Sequence, residues 1–267
     1  MSDLIKYPRT PHLEGSRLQI GDEDLSQIPF SKIKGKYLVI EEKIDGANSA
    51  ISFDDEGNLL LQSRGHYLTG GYRERHFNLL KQWASIHQEK LYQILTNRYI
   101  MYGEWLYAKH TVYYDHLPHY FLEFDIYDKE KQIFLSTKKR MELLKNTVVK
   151  SVPVITTGTF QKLDDITKLI GPSIYKTPIY LDNLKAEAIK QNQDPLQILK
   201  ETDNSNLMEG LYIKVEDDIQ VLERLKYVRY SFLQAVFDSE SHWLDRVIIP
   251  NKLDKDIQDL FISDNNE

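Results

Sequence analysis

The chain reads as an α+β protein with antiparallel sheets flanked by helices. Three observations carry that reading: short β-rich runs separated by turn residues, amphipathic helical stripes interspersed among them, and no regular alternation of strand and helix. With 267 residues, 41% hydrophobic and 28% charged, the sequence has the composition of a globular chain able to bury a core unaided. It contains no cysteine, which removes disulfides, thiolate nucleophiles, thiolate zinc sites and iron–sulfur clusters together.

Residues 1–36 carry Pro8, Pro11, Gly15, Gly21, Pro29 and Gly35, a density of breakers that predicts an extended arm wrapped around a core rather than a packed helix. From Tyr37 to Lys43, Asn48 to Phe53 and Leu59 to Ser63 the text becomes strand-like, with Asp54, Gly57 and Asn58 supplying turn chemistry between the last two. Phe77, Leu80, Ala84, His87, Leu91 and Ile94 recur at steps of three and four, the stripe of one amphipathic helix over 77–94. Strands are expected at Tyr99 to Leu106 and Tyr120 to Tyr127, then a helix from Ser136 or Thr137 to Leu144, then a strand from Val152 to Phe160. Asp182 to Lys200 reads as two helices broken at Asp194-Pro195, an N-cap followed by proline at the first helical position. Strands at Leu207 to Val215 and Ile219 to Val228 complete a core domain over 37–230. A short helical tail over 231–267 is expected to hold a helix from Ser239 to Leu260, broken near Pro250.

The net charge of −6 argues against coating nucleic acid by bulk electrostatics, although five acids against one base between Asp254 and Glu267 place part of it in the tail. A local basic groove is compatible with that balance. Met1 to Arg9 lacks an apolar signal core, and no run approaches the roughly 18 apolar residues of a membrane span. The expectation is a cytoplasmic protein without membrane contact.

The chemistry is written in ordered strings: Glu41-Glu42-Lys43-Ile44-Asp45-Gly46, Ser63-Arg64-Gly65, Tyr102-Gly103-Glu104, Phe121 to Asp125, Glu209-Gly210 running to Lys214, and Arg224-Leu225-Lys226. Lys43 ends an apolar strand at a glycine turn. A primary amine attacks only when neutral, and at an ordinary pKa near 10.4 almost none is neutral at pH 7. Nearby cations and a divalent ion would depress that pKa and stabilise charge on an attacked phosphate. Arg224 and Lys226, two apart, project to one face of a strand as a phosphate clamp requires. Glu209 offers oxygen to a hard ion such as Mg²⁺, and Phe124 offers a flat face to a purine.

This set resembles the covalent nucleotidyltransferase superfamily of ATP-dependent ligases and capping enzymes, and most closely its RNA ligase branch, over Lys43 to Lys226. The resemblance implies the ligase-type nucleotidyltransferase fold. It implies that Lys43 takes AMP from ATP as a phosphoramidate, with Mg²⁺ or Mn²⁺. The AMP then passes to an RNA 5′-phosphate, which a 3′-hydroxyl seals in RNA repair. By the same resemblance Arg64 and Glu104 hold the ribose, Phe124 the adenine, Glu209 the metal, and Lys226 with Arg224 the phosphate; Glu42, Asp45, Gly46 and Lys214 complete the nucleotide site.

The chain departs from that pattern in several places. Asp45 stands where many phage-type RNA ligases have histidine, and the final basic pair begins with Arg224 rather than lysine. Lys214 lies five residues after Glu209, so a regular strand would turn the two to opposite faces. Forty-one residues follow Lys226 (267 less 226), too few for the β-barrel that follows this core in DNA ligases and capping enzymes, which favours a compact RNA ligase working beside an end-healing kinase or phosphatase. A DNA ligase and a GTP-using capping enzyme stand as alternatives within the superfamily. Outside it stand a metal-dependent hydrolase built on Glu104, Glu123, Asp125 and Glu209, and a non-catalytic RNA-binding relative. Arg9, His12 and Arg17 on the arm could meet a triphosphate or an RNA end. His110, His116 and His119 read as loop or surface residues, His87 as a partly buried helix residue, and Gly70-Gly71 as a turn. The tyrosines between 99 and 114, with Trp105, read mostly as packing.

Overall fold

The computed structural model describes residues 4–18, 26–232 and 247–255. Its elements are β1 (His12–Leu13), β2 (Gln27–Ile28), β3 (Tyr37–Lys43), β4 (Ala47–Phe53), β5 (Leu59–Ser63), α1 (Asn78–Ile86), α2 (Gln88–Leu95), β6 (Tyr99–Trp105), β7 (Phe121–Asp128) and β8 (Ile133–Phe134). They continue as α3 (Thr137–Leu144), β9 (Lys150–Ser151), β10 (Val154–Thr159), α4 (Leu163–Thr167), α5 (Tyr180–Lys190), α6 (Pro195–Lys200), β11 (Gly210–Glu216) and β12 (Val221–Val228). One sheet runs β10-β3-β11-β12-β1-β2. The other runs β5-β4-β6-β7-β8, with β9 beside β7.

Local chemistry accounts for the boundaries. Asp54 Oδ1 accepts from the backbone N–H groups of Glu56 and Asn58 at 3.0 and 2.8 Å, closing the turn between β4 and β5. Ser136 caps α3, and Asp194 caps α6 by accepting from Leu196 N–H at 2.9 Å ahead of Pro195 at the first helical position. The single helix expected over 77–94 is two, α1 and α2, meeting at His87 and preceded by a 3₁₀ turn over Tyr72–Phe77. Both deliver their apolar residues to one cluster, so the stripe in the sequence was continuous although the helix is not. Most strand pairs are antiparallel; the parallel pairs involve two-residue strands, β1 with β12, β1 with β2 and β9 with β7.

Alternation along the strands sorts the side chains into layers. Ile51, Phe53, Met101, Trp105, Phe121 and Ile126 of the second sheet pack on Leu80, Trp83, Leu91 and Leu95 of α1 and α2. On the outer face of the first sheet, Leu38, Ile40, Leu211, Ile213, Val215 and Leu225 bury against Leu13, Phe30, Ile33 and Ile166. The inner faces meet around Tyr7, Ala50, Ile100, Tyr102, Phe124 and Tyr212. Tyr7 belongs to the arm, so this part of the arm is a wedge between the sheets.

The expected helix from Ser239 to Leu260 lies largely outside the described residues. Where that span is described, Pro250 bridges Ala108 and Leu253 bridges Leu117, so 247–255 packs as extended chain rather than helix. Among the described residues no helix is long and apolar enough to cross a membrane.

Candidate active site

A cavity of about 1230 Å³ opens between the sheets, lined by the ends of β3 and β4, the segment after β5, the end of β6, Phe124 of β7, Glu209 ahead of β11, and Lys226 of β12. Of the residues singled out in the sequence, Glu42, Lys43, Asp45, Gly46, Arg64, Glu104, Phe124, Glu209 and Lys226 all line it. At its centre Lys43 Nζ donates to a Glu209 carboxylate oxygen at 2.7 Å, and the Lys43 side chain is 21% exposed while that of Glu209 is 1%.

The electrostatics of this pair differ from the expectation of a depressed lysine pKa. Burial pushes the Lys43 amine down, but the Glu209 carboxylate, with Glu104 and Asp45 behind it, more than offsets that and holds it above its ordinary value. Burial also lifts Glu209 against the opposing charge of Lys43, and lifts Glu104 to about 8 with Lys43 again opposing. The protein alone therefore favours the ammonium form of the nucleophile candidate, bound to Glu209.

Glu42 points from the same strand to other partners. It is 4% exposed and accepts from Ser173 Oγ at 2.5 Å; burial lifts its pKa to about 7 while the Ser173 hydrogen bond lowers it. Asp45 Oδ2 accepts from the N–H groups of Thr111 and Val112 at 2.7 and 2.8 Å, which commits one carboxylate oxygen to pinning that loop. Gly46 is required by packing: a Cβ there would stand 2.7 Å from both the Leu106 side chain and the Trp105 carbonyl. Gly210 is required too, since a Cβ would stand 2.0 Å from the Tyr227 carbonyl and part β11 from β12.

Two expected nucleotide contacts are not among the cavity-lining residues. Lys214 is fully buried, donating to the Phe124 carbonyl and standing 3.1 Å from Glu41 and 3.2 Å from Asp125. Arg224 Nε donates to Asp125 at 3.1 Å, and its guanidinium lies over the Phe134 ring. The pairing register gives the reason. Tyr212 is the cross-strand partner of Lys226 at the cavity, and Lys214 is the partner of Arg224 two pairs further along, on the same face and beside Asp125. Glu209 precedes β11, so strand alternation does not carry across from it to Lys214.

Glu41, Glu123 and Asp125 with Arg140, Lys214 and Arg224 form a buried block of three acids and three bases. Arg140 of α3 reaches Glu41 of the first sheet and, at 2.8 Å, Glu123 of the second. This separates Glu123 and Asp125 from Glu104 and Glu209, so the four do not form the carboxylate cluster a hydrolase would need. Among the described residues no group of three or more His, Cys, Asp or Glu is arranged to hold a metal. The donor set suits an ion of the Mg²⁺ type, which takes one or two carboxylates and fills its shell from phosphate oxygens and water.

The arm contributes residues that the motif strings did not single out. Pro11 O accepts from Lys226 N–H at 2.9 Å, and Ser16 Oγ accepts from Val228 N–H at 2.9 Å, so the arm is laced to β12. Tyr7 donates to Asp125, Arg9 and Thr10 line the cavity, and Arg17 instead lies over Tyr230 at 4.7 Å. The only sequence signal for Tyr7 was its place in a proline-stiffened arm. His119 and His110 are buried rather than superficial; His119 Nδ1 accepts from Phe121 N–H at 2.9 Å, and burial drops its pKa to about 4. His116 stays exposed beside Asp254.

Two largely antiparallel sheets closing on a lysine-centred cleft define a ligase-type nucleotidyltransferase fold. The RNA ligase family model matches residues 36–228, and the chain belongs to that family. Solved structures of a Naegleria gruberi RNA ligase share the fold. A lysine-to-alanine mutant with ATP and Mn matches with a TM-score of 0.55 and 17% identity, covering 88% of this chain and 59% of that one. A lysine-to-methionine mutant with AMP and Mn matches with 0.53 and 18%, over 88% and 60%. The enzyme with PPi matches with 0.52 and 18%, over 88% and 59%. This chain thus spans about 60% of the length of those proteins. No curated protein matches it by sequence.

Proposed function

We propose that this chain is an ATP-dependent RNA ligase that works through a lysyl-AMP intermediate on Lys43. The observation that carries the reading is Lys43 held by Glu209 at 2.7 Å inside a cleft that also gathers Arg64, Glu104, Phe124 and Lys226. In the first step the neutral Nζ attacks the α-phosphorus of ATP; an N–P bond forms, the bond to the β-phosphate oxygen breaks, pyrophosphate leaves, and the amine gives up a proton. In the second step a 5′-phosphate oxygen of RNA attacks the same phosphorus, the P–N bond breaks and Lys43 regains its proton. In the third a 3′-hydroxyl attacks the activated 5′-phosphorus, forming the phosphodiester and releasing AMP.

The lining of the cleft supports a duty for each residue. Lys226, beside the arm, stabilises charge on the attacked phosphate. Phe124 offers its ring to adenine while Lys214, bound to its carbonyl, fixes the backbone behind it. Arg64 and Glu104 flank the ribose. Glu209 would hold a divalent ion, Mg²⁺ or Mn²⁺, which supplies positive charge against the triphosphate and takes up the carboxylate charge that keeps Lys43 protonated. With Glu209 so engaged, burial would be opposed only by Glu104 and Asp45 and would favour the neutral amine more strongly. RNA with 5′-phosphate and 3′-hydroxyl ends is the substrate, supplied by an end-healing kinase or phosphatase, in cytoplasmic RNA repair.

Intact-mass measurement after incubation with ATP and Mg²⁺ tests the reading. An added adenylate on the wild type and none on Lys43→Ala is the expected result; an unmodified wild type overturns it.

A further inference from the structure

The cavity is larger than the roughly 300–1,000 Å³ that encloses a typical small-molecule ligand, so a nucleotide leaves room in it. One wall of the cavity is the loop between β5 and α1. Its composition is unlike that of the chain. From Arg64 to His76 it has three arginines and two histidines against one acid, in a protein of net charge −6.

The loop is built rather than slack. Its one acid, Glu74, is 5% exposed, accepts from Gly70 N–H at 2.9 Å and Thr69 N–H at 3.2 Å, and is paired with Lys81. That pin holds Gly70 and Gly71 at φ of +123° and +117°, which turns the chain sharply and sends Tyr72 outward at the cavity mouth. Tyr72 is 79% exposed, with the Arg75 guanidinium 4.7 Å from its ring centre. Gly65, on the same wall, has nothing within 4 Å of where a side chain would begin and a backbone any residue can adopt. Neither packing nor conformation calls for glycine there; the bare backbone leaves space in the cavity.

A positive loop presenting an arginine-backed aromatic face beside open space is a stacking platform for a nucleobase. Such a ring serves a base only where that base is out of the duplex stack. We propose that Tyr72, backed by Arg75, docks an unpaired nucleotide of the RNA beside the adenylate cleft, so that this chain handles single-stranded ends in preference to breaks within continuous duplex. The inference rests on the ligase reading for its substrate, but its test does not depend on catalysis.

The experiment is fluorescence anisotropy of the full chain with a labelled, 5′-phosphorylated single-stranded RNA and with a nicked RNA duplex, beside self-adenylylation by intact mass. Tyr72→Ala should weaken single-strand binding by about 5- to 100-fold, the range of one lost base stack, and Tyr72→Phe should restore it. Duplex binding and self-adenylylation should stay within about twofold. Unchanged single-strand binding in Tyr72→Ala overturns the proposal, as does an equal loss on duplex or a parallel loss of self-adenylylation. A wild type that forms no adduct yet loses single-strand binding on Tyr72→Ala sinks the ligase reading and leaves the docking site standing.

Discussion

At Glu42 a carboxylate is enclosed so well that its pKa rises to about 7. A carboxyl whose folded pKa lies above its unfolded one stabilises the fold at pH below the unfolded value and loses that contribution as pH rises through the folded one. Glu42→Gln keeps an oxygen for Ser173 and removes the titration. The variant's melting temperature relative to wild type should therefore climb between pH 5 and pH 8, by several degrees for roughly 2–3 kcal/mol. Calorimetry at the two pH values checks this, and a difference that stays flat would assign the buried form to ionised Glu42. Single residues also mark the limit of sequence reading. Lys43, Glu104 and Glu209 were legible because strings of adjacent residues announced them. Glu41 was in the same string, yet its partnership with Arg140 spans 99 positions and no local pattern encodes it. The lysine's charge in the protein alone was not legible, because the carboxylates that raise its pKa, Glu209, Glu104 and Asp45, come from separate strings.

Elements act as couplers here. Helix α3 places one arginine against an acid from each sheet, and its removal would leave Glu41 and Glu123 buried with reduced compensation. Arg140→Leu should cost about 3–5 kcal/mol in urea unfolding, far more than an exposed ion pair such as Lys139–Glu142 on the same helix. The arm separates its own arginines in a similar way. Arg9→Ala should lower kcat/KM for ATP by about tenfold, the worth of one charged contact to phosphate, whereas Arg17→Ala should leave it unchanged. Steady-state adenylylation of both variants decides. Sequence periodicity located β3, β4, β5, β6, β7, β11 and β12 because each runs five residues or more. It passed over β1, β2, β8, β9 and the five-residue α4, whose two to five residues offer too few repeats for a period to appear.

At the scale of the molecule, buried charge sets the response to pH. Among the described residues the buried block of three acids and three bases is formally balanced, so the chain's net −6 comes from residues outside that block. Asp125 in that block is held below its ordinary pKa: burial raises it, but Lys214, Arg224 and Arg140 more than compensate. Its contribution is present above the unfolded carboxylate range and is lost as pH falls through the lower folded value. Glu42 and Glu104 act in the opposite sense on the alkaline side. Stability of the nucleotide-free protein should thus peak near pH 5 and fall toward both pH 3 and pH 8, a profile that thermal scans across that range would reveal. A plateau extending to pH 8 would contradict it.

The lacing of the arm to β12 also sets an order of assembly. Ser16 and Val228 are partners 212 residues apart, and the register beside them joins His12 to Lys226. During translation the beginning of the chain leaves the ribosome long before the strand that receives it exists. Tyr7 and Arg9 can reach their stations only after almost everything described has emerged, so the wall they give to the cleft around Lys43 is the last to be laid.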